Sequence, residues 1–111
     1  MISMFPKWSP HWNTRFKIRQ FLDSGHPELK KKALKLLRSS SSGFINRKDV
    51  RQFIFQRDGN KCVKCLSIDN IQIDHIISVY GCCNGDISID DLNTEKNLQA
   101  LCGTCNARKL P

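Results

Sequence analysis

Apolar residues in the first part of the chain recur at helical spacing. Trp8, Trp12 and Phe16 are four residues apart, and Phe21 and Leu22 follow them. This spacing predicts a short amphipathic helix that packs its aromatic side chains on the domain. Basic residues lie among the aromatic ones, which also fits an arm that stacks on bases or lies on phosphates. Both interpretations stay open for this segment.

A second helix is predicted over residues 27–38, because Pro27 is tolerated in a first helical turn and the apolar residues after it share one face. That face carries Leu29, Ala33, Leu36 and Leu37. Another face carries Lys31, Lys35 and Arg38. A charged helix face is either simply solvated or, in a basic chain, a surface for phosphate groups.

A run of serine and glycine over residues 39–43 interrupts the apolar pattern and predicts a flexible linker. We therefore divide the chain into a basic helical extension, residues 1–45, and a second domain, residues 46–111. The second domain should begin with a helix over residues 47–57. Asn46 is the expected cap of that helix, with Val50, Phe53 and Ile54 as its buried stripe.

The pattern changes to strand spacing in the second half of the chain. Residues 70–77 are rich in β-branched side chains with polar ones between them, as in a half-buried strand. Residues 81–95 are acidic and rich in turn-forming residues, and Ile87, Ile89 and Leu92 offer limited apolar anchoring. A last helix is predicted to begin near residue 102.

The net charge and the apolar content of the chain indicate which kinds of molecule it can bind. The chain has 111 residues, with 18 Lys and Arg against 10 Asp and Glu and a formal net charge of +8. Such a charge attracts polyanions, of which nucleic acid is the commonest soluble one. No stretch is apolar and long enough to span a bilayer, so no membrane partner is expected. The first residues do not have the pattern of a secretory signal, which predicts a cytoplasmic location.

Two short cysteine pairs predict a metal site. Cys62 and Cys65 form one Cys-x-x-Cys pair, and Cys102 and Cys105 form another. Four thiolates complete a tetrahedral zinc shell with no open position, so the predicted zinc is structural. The same pairs alone also fit a zinc-binding scaffold without activity, or a rubredoxin-like iron carrier.

Two further cysteines, Cys82 and Cys83, are adjacent in the sequence. Adjacent thiols can be redox-active or bind metal. These two have no second pair nearby, so the sequence favours free thiols in a loop.

Three runs of residues in one order carry a resemblance to a known family. They are Arg57-Asp58 ahead of the first cysteine pair, Ile73-Asp74-His75-Ile76, and Asn97-Leu98-Gln99-Ala100-Leu101-Cys102 followed by Asn106 and Lys109. This set resembles the HNH nucleases, in particular the zinc-knuckle branch of the ββα-metal (His-Me finger) endonucleases. The resemblance covers about residues 50–109 and leaves residues 1–45 outside. It implies an α+β fold, a small zinc-stapled ββα-metal domain preceded here by basic helices.

The resemblance also implies roles for single residues. His75 would be the general base, and Asp74 and Asn106 would be ligands of a catalytic cation. Asn97 would hold the loop and orient His75 through backbone hydrogen bonds. The family often has histidine at the position of Asn106, so this chain is an HNN variant. A carboxylate with an amide oxygen is a hard donor pair, which favours Mg²⁺ or Mn²⁺ at the catalytic site.

The activity implied by the resemblance is hydrolysis of DNA, by nicking or double-strand cleavage, with 5′-phosphate and 3′-hydroxyl products. A monomer or weak homodimer is expected, because the sequence carries no coiled-coil signal. The residues expected to contact nucleic acid are Arg57, Arg108, Lys109, Lys31, Lys35 and Arg38. The alternative is a catalytically inactive zinc-knuckle module that only binds nucleic acid. An iron carrier would leave the charge of the chain and the Asp74, His75 and Asn106 set unexplained.

Overall fold

The computed structural model describes residues 4–109. Residues 1–3 and 110–111, at the outer ends of the two predicted parts, lie outside the described residues. The helices are α1 (Trp12–Asp23), α2 (Pro27–Ile45), α3 (Lys48–Arg57), α4 (Val79–Cys83), α5 (Ile89–Leu92) and α6 (Gly103–Arg108), with a 3-10 turn at Glu95–Asn97. The strands are β1 (Ile71–His75) and β2 (Leu98–Cys102). None of the helices in this range has the length and apolar character needed to cross a membrane.

The two strands pair antiparallel and lead directly into the last helix. Ile71 lies opposite Cys102, and His75, the last residue of β1, lies opposite Leu98. Alternation along β1 buries Ile73 and leaves its neighbours half-buried, as the predicted strand requires. The predicted small α+β fold is confirmed. The last helix begins at Gly103, directly after β2.

The predicted linker at residues 39–43 is wrong, because these residues lie inside α2, which continues to Ile45. Ala33, Leu37, Ser41 and Phe44 form a continuous buried stripe on this helix. Serine is only about 0.5 kcal/mol worse than alanine in a helix, and burial of the stripe outweighs that cost. The sequence-based end of the helix near residue 38 was therefore seven residues too early.

The aromatic face predicted for the first helix is wrong for Trp12 and Phe16. Trp12 and Phe16 are 72% and 59% exposed, while Ile18 is fully buried. Phe21 and Leu22 pack against the same core as Ile18. The helix therefore turns Ile18, Phe21 and Leu22 inward and leaves Trp12 and Phe16 in solvent. Trp8 precedes α1 and packs against the same core, and its indole N–H donates to Ser40 at 3.2 Å.

The cap predicted for the third helix differs by one residue. Arg47 occupies the N-cap position of α3 and makes no side-chain cap hydrogen bond. Asn46 instead ends α2, with its backbone N–H donating to Ser42 and Phe44. Because α2 runs on to Ile45, Asn46 is used to end one helix and is not free to begin the next. Val50 and Ile54 are buried as predicted.

The segment between the strands is more ordered than predicted. Cys82 and Cys83 lie in α4, not in a loop. Cys82 is buried with Ile89 and Leu92 in the core formed with α1 and α2. Burial raises the pKa of Cys82 to about 11, so this thiol is protonated and packs as an apolar side chain. The apolar residues at 87–92 anchor the segment because the two N-terminal helices supply their partners.

A second core cluster joins both predicted parts of the chain. Phe44 from α2 packs with Val50 and Ile54 from α3 and with Ile73 and Leu98 from the two strands. The α2 helix also contacts α3 and α4. The division into residues 1–45 and residues 46–111 stays a prediction.

Candidate functional site

The four paired cysteines meet in space. Their sulfur atoms all lie within 4.8 Å of one another, and the sulfurs of Cys65 and Cys102 are 3.5 Å apart. Sulfur atoms at about 2.3 Å from a tetrahedral zinc ion are about 3.8 Å from each other. The cluster therefore fits zinc in both donor type and spacing.

Both cysteine pairs have the turn geometry of a metal knuckle. The N–H of Cys65 donates to the sulfur of Cys62 at 3.5 Å, and the N–H of Cys105 donates to the sulfur of Cys102 at 3.4 Å. Although burial opposes it, donation from the backbone lowers the pKa of Cys62 to about 6. Hydrogen bonds to the sulfurs of Cys102 and Cys65 raise the pKa of Cys105 to about 12. A divalent cation that binds the four sulfurs replaces the protons of the thiols.

A second site lies at the end of β1, in a cleft of about 420 Å³. The cleft is open to solvent on one side and is bounded by β1, α2, α4 and the end of α6. It brings together three of the predicted site residues, Asp74, His75 and Asn106, with the basic residues Arg38 and Lys109. Its other lining residues are Ile73, Ser78, Val79 and Tyr80.

The Asp74 carboxylate is held by two side chains. Gln99, opposite it on β2, donates to Oδ2 at 3.0 Å, and Lys109 donates to the same oxygen at 2.8 Å. Lys109 also donates to the backbone carbonyl of His75. The ammonium group therefore offsets the charge of Asp74 and ties the end of α6 to the end of β1.

Asn106 lies on the same side of the sheet as Asp74. Its Nδ2 donates to Oε1 of Gln72 at 2.9 Å, and Gln72 stands two residues before Asp74, on the same face of β1. Because Nδ2 of Asn106 donates to Gln72, the amide oxygen of Asn106 is the atom that can bind a cation. Asp74 and Asn106 thus supply hard oxygen donors to one cleft, a set that fits Mg²⁺ or Mn²⁺.

His75 is held by a residue that sequence reasoning missed. Its Nε2 lies 2.7 Å from Oδ1 of Asn93, and Nδ2 of Asn93 donates to Oγ of Ser41 at 3.0 Å. Ser41 and Asn93 are 1% and 2% exposed. Burial lowers the pKa of His75, and Lys109 acts in the same direction, while the Asn93 contact and the charge of Asp74 oppose it. The imidazole is therefore neutral at neutral pH.

Asn97 does not line the cleft but holds the loop after β1. Its Oδ1 accepts from the N–H of Ile77 at 2.8 Å, and its Nδ2 donates to the carbonyls of Ile77 and Leu92. Its backbone carbonyl accepts from the N–H of Ile76 at 2.8 Å. These bonds fix the backbone immediately after His75.

The basic residues predicted to contact nucleic acid have different surroundings. Arg57 pairs with Asp58 at 2.8 Å and donates to the carbonyls of Glu95 and Leu98 at 2.6 Å. Its guanidinium thus holds α3 to the start of β2, and its predicted contact with nucleic acid stays a prediction. Lys31, Lys35, Arg38 and Arg108 are exposed, and Lys109 is half-buried.

Comparison with known proteins adds one finding. A protein of Lactococcus phage SK1 named "Probable HNH endonuclease" is 33% identical to this chain over an alignment of 76 residues, which covers 61% of this chain and 76% of that protein. No protein-family model and no solved structure matches the chain. The identity and coverage, together with the cysteine cluster, show that this chain belongs to the HNH endonuclease family.

Proposed function

We propose that this protein is a metal-dependent endonuclease that hydrolyses phosphodiester bonds of DNA, an HNN variant in the zinc-knuckle branch of the family. The observation that supports it most directly is the single cleft shared by Asp74, His75 and Asn106. Two basic groups, from Arg38 and Lys109, lie in the same cleft. A carboxylate, an amide, a neutral imidazole and cationic groups together suit an anionic substrate.

In this proposal the cysteine cluster is structural. Cys62, Cys65, Cys102 and Cys105 hold Zn²⁺ and thereby fasten the turn before β1 to the turn between β2 and α6. The unit formed by β1, β2 and α6 is then the ββα-metal core, within a nuclease domain at residues 46–111. Residues 1–45 are the basic helical extension.

Asp74 and Asn106 are the proposed protein ligands of the catalytic cation. When bound there, Mg²⁺ or Mn²⁺ neutralises charge on the phosphoryl and leaving oxygens. Gln99 and Lys109 both contact Oδ2 of Asp74, which orients the carboxylate. Gln72 orients the amide of Asn106.

His75 is the proposed general base. It takes a proton from the attacking water, and its neutral imidazole is ready to do so. Attack on phosphorus with departure of the 3′ oxygen leaves 5′-phosphate and 3′-hydroxyl ends. Asn97 fixes the loop that follows His75 and so maintains the direction of the ring.

The proposed contacts to the DNA backbone come from basic residues of α2 and of the end of α6. Lys31, Lys35 and Arg38 lie on α2, and Arg108 and Lys109 lie at the end of α6. Phosphate contacts of this kind position the duplex without reading its sequence. The protein is proposed to act in the cytoplasm as a monomer or weak homodimer, so that one active site nicks one strand at a time.

Cleavage of supercoiled plasmid tests the proposal. We expect the zinc-loaded protein to convert plasmid to nicked or linear forms with Mg²⁺ or Mn²⁺ and not after removal of free divalent cations. An Asp74→Ala variant should lose at least about 100-fold in rate, since the loss of a ligand removes several kcal/mol of charge stabilisation. Asp69→Ala, at an exposed carboxylate outside the cleft, should cleave like the wild type.

Failure of the wild type to cleave with either cation, while the plasmid is still retarded on a gel, would contradict the nuclease proposal. That outcome would support the catalytically inactive zinc-knuckle module instead. Equal cleavage by Asp74→Ala and the wild type would remove Asp74 from the ligand set.

Arg38 is the basic residue of α2 that lines the cleft. An Arg38→Gln variant should bind duplex DNA more weakly and reduce the slope of log K against log salt by about 1, because one phosphate contact is lost. Fluorescence anisotropy over a salt series, without added divalent cation, measures this slope. Lys17→Gln removes the same charge from α1 and should change the slope less. Equal slopes for Arg38→Gln and the wild type would contradict the contact.

A further inference from the structure

A buried chain of polar side chains links the N-terminal helices to the proposed catalytic histidine. Ser41 on α2 contacts Asn93, which contacts His75 at the end of β1. Ser41 and Asn93 are 52 residues apart in sequence. Both are almost fully buried, at 1% and 2% exposed, so water does not compete for these hydrogen bonds.

We infer that Ser41 and Asn93 are positioning residues that keep the proton of the His75 ring on Nε2, so that Nδ1 is the atom that accepts a proton from water. This inference rests on the proposed function for the role of His75. It adds the identity of the reacting nitrogen and a requirement for α2, which lies outside the part of the chain that resembles HNH nucleases.

Ser41 orients the amide of Asn93. Oγ of Ser41 is the acceptor in the hydrogen bond that joins these two side chains. The Nδ2 group of Asn93 then points at Ser41, at 3.0 Å. The other end of the amide, Oδ1, is thereby directed toward the His75 ring.

The orientation of this amide decides which nitrogen of the His75 ring carries the proton. With Nδ2 directed at Ser41, Oδ1 of Asn93 is the atom at 2.7 Å from Nε2 of His75. A carbonyl oxygen only accepts, so Nε2 must carry the proton. In a neutral ring the other nitrogen is then unprotonated. The ring lines the cleft with Asp74 and Asn106, and Nδ1 is its one basic atom.

Ser41 is the one polar residue among the buried residues of α2. Serine at this position is part of the buried stripe of α2 with Leu37 and Phe44. An apolar residue would fill the same stripe, so packing alone does not call for a hydroxyl. Asn93 follows Leu92, which packs against α2 and the other N-terminal elements. The packing of α2 on the segment between the strands therefore brings Ser41 into register with Asn93.

The direct test is the protonation state of the ring nitrogens, read by long-range ¹H–¹⁵N NMR. The sample is the zinc-loaded full chain at about pH 8, above the ordinary histidine pKa of about 6.5. We expect His75 to show a single fixed form with the proton on Nε2 and a slowly exchanging ring N–H. Exposed His26 serves as the internal reference for a ring that exchanges freely. A proton on Nδ1, or averaging like that of His26, would overturn the inference.

Variants of Ser41 distinguish a positioning role of this residue from a purely structural one. Ser41→Ala should allow the Asn93 amide to turn, so that the His75 ring carries its proton on Nε2 in some molecules and on Nδ1 in others. We expect kcat to fall by about 10- to 100-fold, as after the loss of an orienting partner, and KM to change little. Ser41→Thr keeps the oxygen and should restore the wild-type ring signals. Ser39→Ala, at an exposed serine of the same helix, should change neither.

The NMR result does not depend on cleavage, so the two proposals fail in distinguishable ways. A protein that does not cleave DNA but holds its ring proton on Nε2 through Ser41 contradicts the nuclease proposal alone. A Ser41→Ala variant that folds, keeps the wild-type ring form and cleaves at the wild-type rate contradicts the positioning role alone. Thermal unfolding of each variant checks the fold, and Asn93→Leu provides a second way to break the link if Ser41→Ala unfolds.

Discussion

Replacement of Cys62 by serine is expected to abolish zinc binding and to unfold the region around the cysteine cluster. A structural zinc contributes on the order of 10 to 16 kcal/mol of apparent binding free energy that is also folding free energy. A whole small domain is stable by only about 5 to 15 kcal/mol. Elemental mass spectrometry measures the zinc content of the variant. Thermal unfolding followed by circular dichroism measures the loss of stability.

The reason for so large an effect is the small core beside the cluster. Cys62 is fully buried and packs with Leu101 and Cys102, with Ile71 and Cys105 at the edge. Without the metal, four thiols would crowd a site where their sulfurs lie within 4.8 Å of one another. Chelation of zinc from the wild type should therefore have the same result as Cys62→Ser.

The matched control is Cys83→Ser, at a half-buried cysteine outside the cluster. This variant should retain one zinc per chain and unfold near the wild-type temperature. A Cys62→Ser protein that lacked zinc and unfolded like the wild type would contradict the structural role of the metal. Iron in place of zinc in the purified wild type would support the electron-carrier alternative.

Local patterns were sufficient for the C-terminal half of the fold. The alternation around Ile73 predicts β1, and the two cysteine pairs predict a shared metal site, because both signals depend on residues close in sequence. The same is true of the buried stripe of α3 at Val50 and Ile54. The cap of α3 was misplaced by one residue because α2 continues farther than its composition suggests.

The N-terminal helices show where local patterns fail. The serine run in α2 predicts a linker by composition, yet Ser41 is buried because Asn93 lies across from it. In α1 the aromatic spacing of Trp12 and Phe16 is as regular as that of Ile18 and Leu22, and only the tertiary contacts decide which face is inside. Helix propensity and periodicity therefore do not predict which face of α1 is buried.

Some residues of the candidate site could be predicted from short motifs in the sequence, and others could not. Asp74, His75 and Asn106 belong to short motifs, and the structure brings them to one cleft; their roles stay predictions. Asn93 carries no signal in the sequence, since a polar residue after Leu92 in a turn-rich segment is unremarkable. Asn93 is 18 residues from His75 in the sequence and 52 residues from Ser41. Such long-range pairs arise only from the packing of α2 against the segment between the strands.

The second large effect is expected at His75. A His75→Ala variant should cleave supercoiled plasmid about 100- to 10,000-fold more slowly than the wild type with Mg²⁺ or Mn²⁺, the range for loss of a general base. Without the imidazole, the attacking water must give its proton to solvent. DNA binding should change little, because the exposed basic residues that would contact phosphate are intact. Quantified nicking rates and anisotropy on the same preparations measure both quantities.

Two further variants separate the loss of a base from the loss of a buried contact. His75→Gln retains an amide N–H that can donate to Asn93, but it has no nitrogen able to accept a proton, so it should be as inactive as His75→Ala while unfolding closer to the wild type. His26→Ala, at an exposed histidine between α1 and α2, should be fully active. Wild-type rates for both His75 variants would remove His75 as the base. A rate restored in His75→Gln alone would mean that the contact with Asn93, rather than proton transfer, is what the imidazole supplies.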